Sequence, residues 1–419
     1  MDQIIVRGEA RLEGEVRVSG SKNATLALMA AALLGRGETI LRNAPCVRDV
    51  DHMLDILKAL GARAARDAGD PRVIRIDPEN IATPEAPYDL VRKMRASFMV
   101  LGPLLARFGC GRVSEPGGCA IGVRPIDQHL KGLAALGAKI RLDHGTIEAF
   151  GARLCGTQIN FDSVTVNGTQ NVMMAATLAE GETILDNAAR EPEVVELADM
   201  LNRMGARIEG AGSDRLVIRG VSDLRGVSHD VAGDRIEAGT ILAAAMITRG
   251  RVTVQGIDPV VMDSMLEKLR ETGAQIDLTS DSVTVRADAP ARPIRVVTAP
   301  YPGFPTDMQA QLMSVLCLGE SSSVVTETVF ENRFMHVPEL QRLGADIALS
   351  DRSAHVTGVP RLSGAPVMAT DLRASAGLIV AALAAEGDTT VHRVYHIDRG
   401  YERIEQKLRG LGAVIRREA

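Results

Sequence analysis

Six stretches of the chain are apolar nearly all round: "ATLALMAAALL", "SFMVLGPLLARF", "NVMMAATLA", "GTILAAAMI", "QAQLMSVLCL" and "SAGLIVAALAA". Helices of that kind have no polar face to offer water and belong in an interior. After each one a glycine ends the stretch: Gly37, Gly111, Gly181, Gly250, Gly319 and Gly387. A β-type run follows, such as "ETILRNA", "ETILDNA" or "RVTVQGI". An amphipathic helix comes next, as in "VRDVDHMLDILKALGA", and it closes on a Gly-Ala pair. One or two further strands, such as "RVIRI" and "DRLVIRGV", complete the unit. The closing pair recurs at Gly61-Ala62, Gly137-Ala138, Gly205-Ala206, Gly273-Ala274, Gly344-Ala345 and Gly412-Ala413, with spacings of 76, 68, 68, 71 and 68 residues. Two markers sharing a period of about 70 residues identify an internal repeat.

Six α/β units, each with one wholly apolar helix, predict buried helices under outer sheets. Three units per domain give two matching halves, with a substrate cleft expected between them. The expected boundaries are residues 22–232 for the first three-unit domain and residues 1–21 with 233–419 for the second. That second domain is discontinuous because the N-terminal strand "QIIVRG" precedes the first unit and pairs elsewhere.

Length agrees with this, since 419 residues exceed one ordinary core. A net charge of −5 and the absence of tryptophan argue against a nucleic-acid platform, so any anion must be held by a local cluster of cations. No apolar run reaches the roughly 18 residues needed to span a bilayer, so no membrane insertion is expected. The N-terminus "MDQIIVRGEARLEG" lacks the basic and apolar regions of a secretory signal. The five cysteines, Cys46, Cys110, Cys119, Cys155 and Cys317, are scattered without a CxxC spacing. This pattern suits the reducing cytoplasm and argues against a zinc site or a disulfide framework.

Chemistry-bearing residues gather where the apolar helices begin. Lys22 and Asn23 precede the first helix in "GSKNATLAL", Arg95 precedes the second in "KMRASFMV", and Asp307 lies in "APYPGFPTDMQAQ". Asp371 and Arg373 open the sixth in "DLRASAG". Helix N-termini favour anions through free N–H groups and the helix dipole. Capping accounts for the same polar residues equally well when each is taken alone. In "PGGCAIGVRP", Cys119 lies behind two glycines and five residues before Arg124. A turn containing an inert thiol and a mobile loop carrying a reactive one both fit that stretch.

The longer motifs decide more. "SKN", "MRAS", "PGGCAIGVRPID", "NAAREPEVVELA", "GDRIEAGT", "APYPGFPTDMQAQ", "ETVFENRFMHVPEL", "DLRASA" and "YHIDRGYERIE" occur in this order along the whole chain. In these motifs the sequence resembles the enolpyruvyl transferases, especially members whose acceptor is UDP-N-acetylglucosamine. The resemblance implies two inside-out α/β domains of three units each. It also implies transfer of the enolpyruvyl group of phosphoenolpyruvate to the sugar's 3-hydroxyl by addition and elimination. Phosphate is released, and neither a metal nor an organic cofactor takes part. In the family this is the committed step toward peptidoglycan precursors.

On that resemblance Lys22, Arg124 and Arg399 hold the carboxylate and phosphate of phosphoenolpyruvate, as planar guanidinium forks can. Arg95, Arg333 and Arg373 extend the cationic lining, and Asp307 is the base for the sugar hydroxyl. Cys119 serves as proton donor, adduct-forming nucleophile or product-release gate, and is the residue through which family members react with the epoxide fosfomycin. Asn23, Arg95, Arg124, Thr165, Val166, Asn167, Asp307 and Val329 are implied around the UDP-sugar, and Asp371 and Arg373 among the substrate-binding residues in general. Asn167 stands where relatives often have a smaller residue, and "NATLAL" lacks the proline many carry after the lysine. The alternatives are the sister transferase acting on shikimate 3-phosphate, a silent UDP-sugar-binding paralogue and a purely structural repeat protein. Presence of Cys119, Asp307 and Arg399 speaks against the silent paralogue, and candidate catalytic residues at helix starts in both halves speak against the structural repeat protein. No protein partner is implied.

Overall fold

In the computed structural model, which describes residues 2–81, 83–115, 126–151 and 153–419, each copy of the repeat contributes an inner and an outer helix. In chain order these are α1 (Lys22–Ala31) and α2 (Arg48–Ala59), then α3 (Leu101–Phe108) and α4 (Asp127–Ala135). The third and fourth copies supply α5 (Val166–Ala176) and α6 (Pro192–Met204), α7 (Arg235–Ile247) and α8 (Asp263–Glu271). The last two supply α9 (Gln309–Leu316) and α10 (Val337–Arg342), α11 (Leu372–Ala382) and α12 (Ile404–Gly410). Every residue of the inner helix α7 is buried. The outer helix α6 instead buries one stripe, including Val194, Leu197, Leu201 and Met204, as a 3.6-residue period requires.

The Gly-Ala signature has a clear cause. Gly205 caps α6 in the left-handed region at φ 113°, donating to the carbonyls of Asn202 and Leu201, and the other five signature glycines share that conformation. A side chain there would crowd the following carbonyl, so glycine recurs. The second recurring glycine is less uniform than the sequence pattern suggests. Gly37, Gly181 and Gly387 are left-handed, but Gly250 is not; a Cβ on it would sit 2.0 Å from the Leu12 carbonyl oxygen. Close backbone approach, rather than a helix stop, requires glycine at that copy.

Each copy builds a four-stranded sheet with one order. In the third copy Glu182–Asp186 pairs parallel with Gln158–Asn160 and antiparallel with Arg215–Arg219, which in turn pairs antiparallel with Arg207–Glu209. The six sheets share this plan. Chain connectivity is rearranged where the plan runs out of strands. Ser228–Asp230, after the third copy, returns to lie parallel to Thr39–Arg42 of the first. Glu13–Arg17 lies parallel to Arg251–Gln255 in the fourth copy. Gln3–Arg7 is inserted between Asp388–His392 and Val414–Glu418, antiparallel to both, with Ile4 opposite Val391 and Val6 opposite Ile415. Ile4 and Val6 are fully buried, so the N-terminal strand is part of the last sheet's core face.

The described residues pack as two units, one drawn from 20–115 with 126–232 and one from 2–19 with 233–419. Each has its own apolar core. In the unit of the last three copies, the inner helices approach closely enough for a side chain to cross. Ser314 Oγ in α9 donates to the Gly377 carbonyl of α11 at 2.8 Å, and a Cβ on Gly377 would lie 3.0 Å from Ala310. Gly102 meets Asn171 in the same manner in the other unit, where Asn171 Oδ1 accepts from its N–H at 2.7 Å. Among the described residues no helix is long and apolar enough to cross a membrane.

Candidate active site

The inner helices do not all begin in the same way. Ser21 caps α1 through its hydroxyl, Thr165 caps α5, Asp234 caps α7 and Asp371 caps α11. The second and fifth copies have no side-chain cap. They enter their inner helices through 3₁₀ turns, Arg95–Val100 and Thr306–Met308. Pro103 removes the N–H that would bond to Met99, which is consistent with the tighter turn ahead of α3. Asp307 therefore lies inside a turn following Pro305, and its carboxylate is not spent on capping α9.

That carboxylate faces two arginines. Arg333 Nη2 donates to Oδ1 at 2.9 Å, while Arg373 Nε and Nη2 reach Oδ2 at 3.1 and 3.0 Å. The arginine side chains are 3% and 4% exposed and the Asp307 side chain 28%, so the carboxylate alone of the three reaches solvent. Arg333 stacks over Phe330 and Arg373 over Tyr401, each with the guanidinium carbon 5.4 Å from the ring centre. Burial disfavours charge on Arg373, but Asp307, helped by Tyr401 and Asp234, more than offsets it and raises the guanidinium above its ordinary range. Burial also pushes the Tyr401 phenol up.

The Gln311 amide, one turn into α9, donates to the Asp307 carbonyl at 3.0 Å, to Thr240 Oγ1 at 3.1 Å and to Tyr401 Oη at 3.2 Å. Backbone and side chain of Asp307 are thus held from separate directions. Nη1 of Arg333 and Nη1 of Arg373 are buried without a hydrogen-bond partner among the described residues. His336, three residues beyond Arg333, is held neutral, its pKa lowered to about 4 by burial and by Arg333 against the pull of Asp371.

Elsewhere in this unit Asp371 Oδ1 accepts from the N–H groups of Arg373 and Ala374 at 2.8 and 3.1 Å, as a helix cap does. Arg399 ends the 3₁₀ turn Val394–Arg399. Val329 is 36% exposed in the loop after Ser322–Thr326. In the other unit, Lys22 is buried and pairs with Asp49 at 3.5 Å rather than lying in solvent. Asn23 is half-buried beside it, and Arg95 begins its 3₁₀ turn. The Thr165 hydroxyl accepts from Gly168 N–H at 3.2 Å, and Val166 and Asn167 form the first turn of α5. Cys119 and Arg124 lie outside the described residues.

Sequence reasoning names Asp307, Arg333 and Arg373 separately; the structure brings them together and gives both arginines the task of holding the carboxylate. It missed Gln311, Tyr401, Asp49 and Glu327. A signal existed for Gln311, since an amide inside the otherwise apolar "QAQLMSVLCL" has to find a buried partner. It also missed the buried cluster in which Ser19 Oγ donates to Glu402 at 2.5 Å and Lys407 pairs with Glu237. Burial raises the Glu237 carboxyl against the opposing effect of Lys407. Among the described residues no group of three or more His, Cys, Asp or Glu side chains is placed to hold a metal ion.

Several known proteins resemble this chain over its whole length. A protein of Anaeromyxobacter sp. (strain Fw109-5) named UDP-N-acetylglucosamine 1-carboxyvinyltransferase is 58% identical over 420 residues, covering all of both chains. One of Myxococcus xanthus with the same name is 57% identical over the same span. Among solved structures, the enolpyruvyl transferase NikO from Streptomyces tendae superposes with a TM-score of 0.90 at 29% identity, over 99% of this chain and 98% of that one. EPSP synthase from Acinetobacter baumannii shares the fold, at a TM-score of 0.78 and 16% identity over the full length of both. Residues 6–408 match the EPSP synthase (3-phosphoshikimate 1-carboxyvinyltransferase) family, and the chain belongs to this family of enolpyruvyl transferases.

Proposed function

We propose that this protein transfers the enolpyruvyl group of phosphoenolpyruvate to the 3-hydroxyl of UDP-N-acetylglucosamine, with release of phosphate. The observation that carries this reading is full-length identity of 55–58% to proteins named for that reaction. The sister reaction with shikimate 3-phosphate has weaker support, because the EPSP synthase that shares the fold is only 16% identical.

The chemistry has two halves. In the addition, the sugar 3-hydroxyl loses its proton as its oxygen bonds to C2 of phosphoenolpyruvate, and C3 gains a proton to become a methyl group. In the elimination, that methyl loses a proton, the C2–O bond to phosphate breaks and inorganic phosphate leaves. Asp307 suits the first proton removal: its oxygens are fixed by Arg333 and Arg373, and it alone of the three is open to solvent. Fixing the base in advance lowers the orientational cost of the step. On the family resemblance Lys22, Arg124 and Arg399 are assigned to the donor's carboxylate and phosphate, and Cys119 serves as proton donor, adduct-forming nucleophile or product-release gate. The Nη1 groups of Arg333 and Arg373, without a hydrogen-bond partner among the described residues, suit a site that accepts anionic substrates. The reading places the protein in the cytoplasm, at the entry to peptidoglycan precursor synthesis.

Phosphate release from phosphoenolpyruvate tests it. Release is expected with UDP-N-acetylglucosamine and not without it. Release with shikimate 3-phosphate instead identifies the sister activity, and sugar binding without any release identifies a silent paralogue.

A further inference from the structure

Glu327 is the first residue after the strand Ser322–Thr326 and is 1% exposed. Its carboxylate accepts four hydrogen bonds. Oε1 takes the Thr298 hydroxyl at 2.8 Å and the backbone N–H groups of Val329 and Phe330 at 2.8 and 3.1 Å. Oε2 takes the Thr306 hydroxyl at 2.8 Å. Thr298, itself fully buried, accepts in turn from Thr328 N–H at 2.9 Å.

The partners of Glu327 converge on one ion pair. Thr306 is the residue before Asp307, in the same 3₁₀ turn. Phe330 carries the ring on which Arg333 stacks, and Arg333 donates to Asp307. One buried carboxylate therefore holds both sides of the Asp307–Arg333 contact, the Thr306 side chain on one and the Val329 and Phe330 backbone on the other. It also fixes the loop that presents Val329 to solvent. A group that only needed to close the loop after the strand would use Oε1 and its two backbone donors. The bond from Oε2 to Thr306 reaches a turn 21 residues earlier and adds nothing to that loop.

We propose that Glu327 is a positioning residue for the transfer reaction. It sets the register between the turn bearing Asp307 and the loop bearing Val329, Phe330 and Arg333, and so aims the Asp307 carboxylate. The inference rests on the proposed transfer and touches no reacting atom.

Hydroxyl chemistry makes it separable from general stability. In Glu327→Gln the amide oxygen can replace Oε1, and the amide nitrogen can donate to Thr306, whose hydroxyl rotates from donor to acceptor. All four links survive. Thr306→Val keeps the volume and loop 328–330 intact but cuts the link to the Asp307 turn. The test is steady-state phosphate release by wild type, Glu327→Gln, Glu327→Ala and Thr306→Val, with melting curves for each. Misaiming a catalytic group by about 1 Å can cost about a hundredfold, so Thr306→Val is expected to lose about tenfold to a hundredfold in kcat. Its KM for phosphoenolpyruvate should stay near wild type, and Glu327→Gln should retain most activity. Should Glu327→Ala fail to fold, Thr306→Val still decides. A folded Thr306→Val with wild-type kcat overturns the inference, as does Glu327→Gln as impaired as Glu327→Ala. Absence of transfer by the wild type would overturn the functional reading together with this inference.

Discussion

Asp307→Asn is the most informative single change, because it separates the charge of the carboxylate from its shape. Asn keeps one accepting oxygen but places an NH₂ group against a guanidinium, donor facing donor. Two arginine side chains, 3% and 4% exposed, then lose their common counter-charge. Removing one partner of a buried pair costs about 3–5 kcal/mol. Asp307 is 28% exposed, and solvent screens part of that loss, which brings the expected cost to about 2–3 kcal/mol. For a domain of 150–250 residues each kcal/mol moves Tm by roughly 2–4 °C, so a fall of about 4–12 °C is expected. Sulfate or phosphate should restore more of the Tm in the variant than in wild type, by supplying the missing charge. Turnover should fall by about 10²–10⁴, as on loss of a general base, with UDP-sugar binding mostly kept. Phosphate release and differential scanning fluorimetry measure the two effects in one preparation. A lowered Tm with turnover intact would reduce Asp307 to a structural counter-ion; no change in either would refute the clamp itself.

Two other residues give independent tests. His129 is held neutral, its pKa lowered to about 3 by burial and by nearby Arg95, with Asp127 opposing. An unfolded histidine titrates near pH 6.5, so between those values the unfolded chain binds one more proton and stability falls with falling pH, by about 1.4 kcal/mol per unit. Urea unfolding of wild type and His129→Gln at about pH 7 and about pH 5 should show a shallower loss in the variant; equal slopes would contradict this account. At Cys119, intact-protein mass spectrometry after fosfomycin should find one adduct on wild type and none on Cys119→Asp, which should retain measurable transfer. Labelling at another cysteine would mean that the wrong thiol has been chosen.

Much of the architecture can be read from sequence because the chain states it six times. An apolar helix such as α7 has one physical outcome wherever it occurs, and a left-handed cap such as Gly205 has few substitutes. Strand exchange is not legible in this way. Nothing in "QIIVRG" says that it will fill the third place in the last sheet, since its partners begin at Asp388. The clamp on Asp307 is hidden for the same reason: its arginines lie 26 and 66 residues away, one in the loop before α10 and one in the first turn of α11. Local pattern identifies which residues are polar at a helix start. It does not say what they face.

The two ways of entering an inner helix sort the candidates that sequence alone left level. In the first, third, fourth and sixth copies the side chain before the helix accepts from the first-turn N–H groups: Ser21, Thr165, Asp234 and Asp371. Such a group is committed, because withdrawing it would leave helix N–H donors unpaired. The second and fifth copies, which occupy the same place in their respective units, use 3₁₀ turns without a side-chain cap. Asp307, the carboxylate of the second of these turns, is not committed to capping and holds Arg333 and Arg373 instead. Capping thus accounts for Thr165 and Asp371 before any appeal to substrate, and it does not account for Asp307. The repeat supplies equivalent positions, and in the fifth copy giving up the cap leaves the carboxylate to its two arginines.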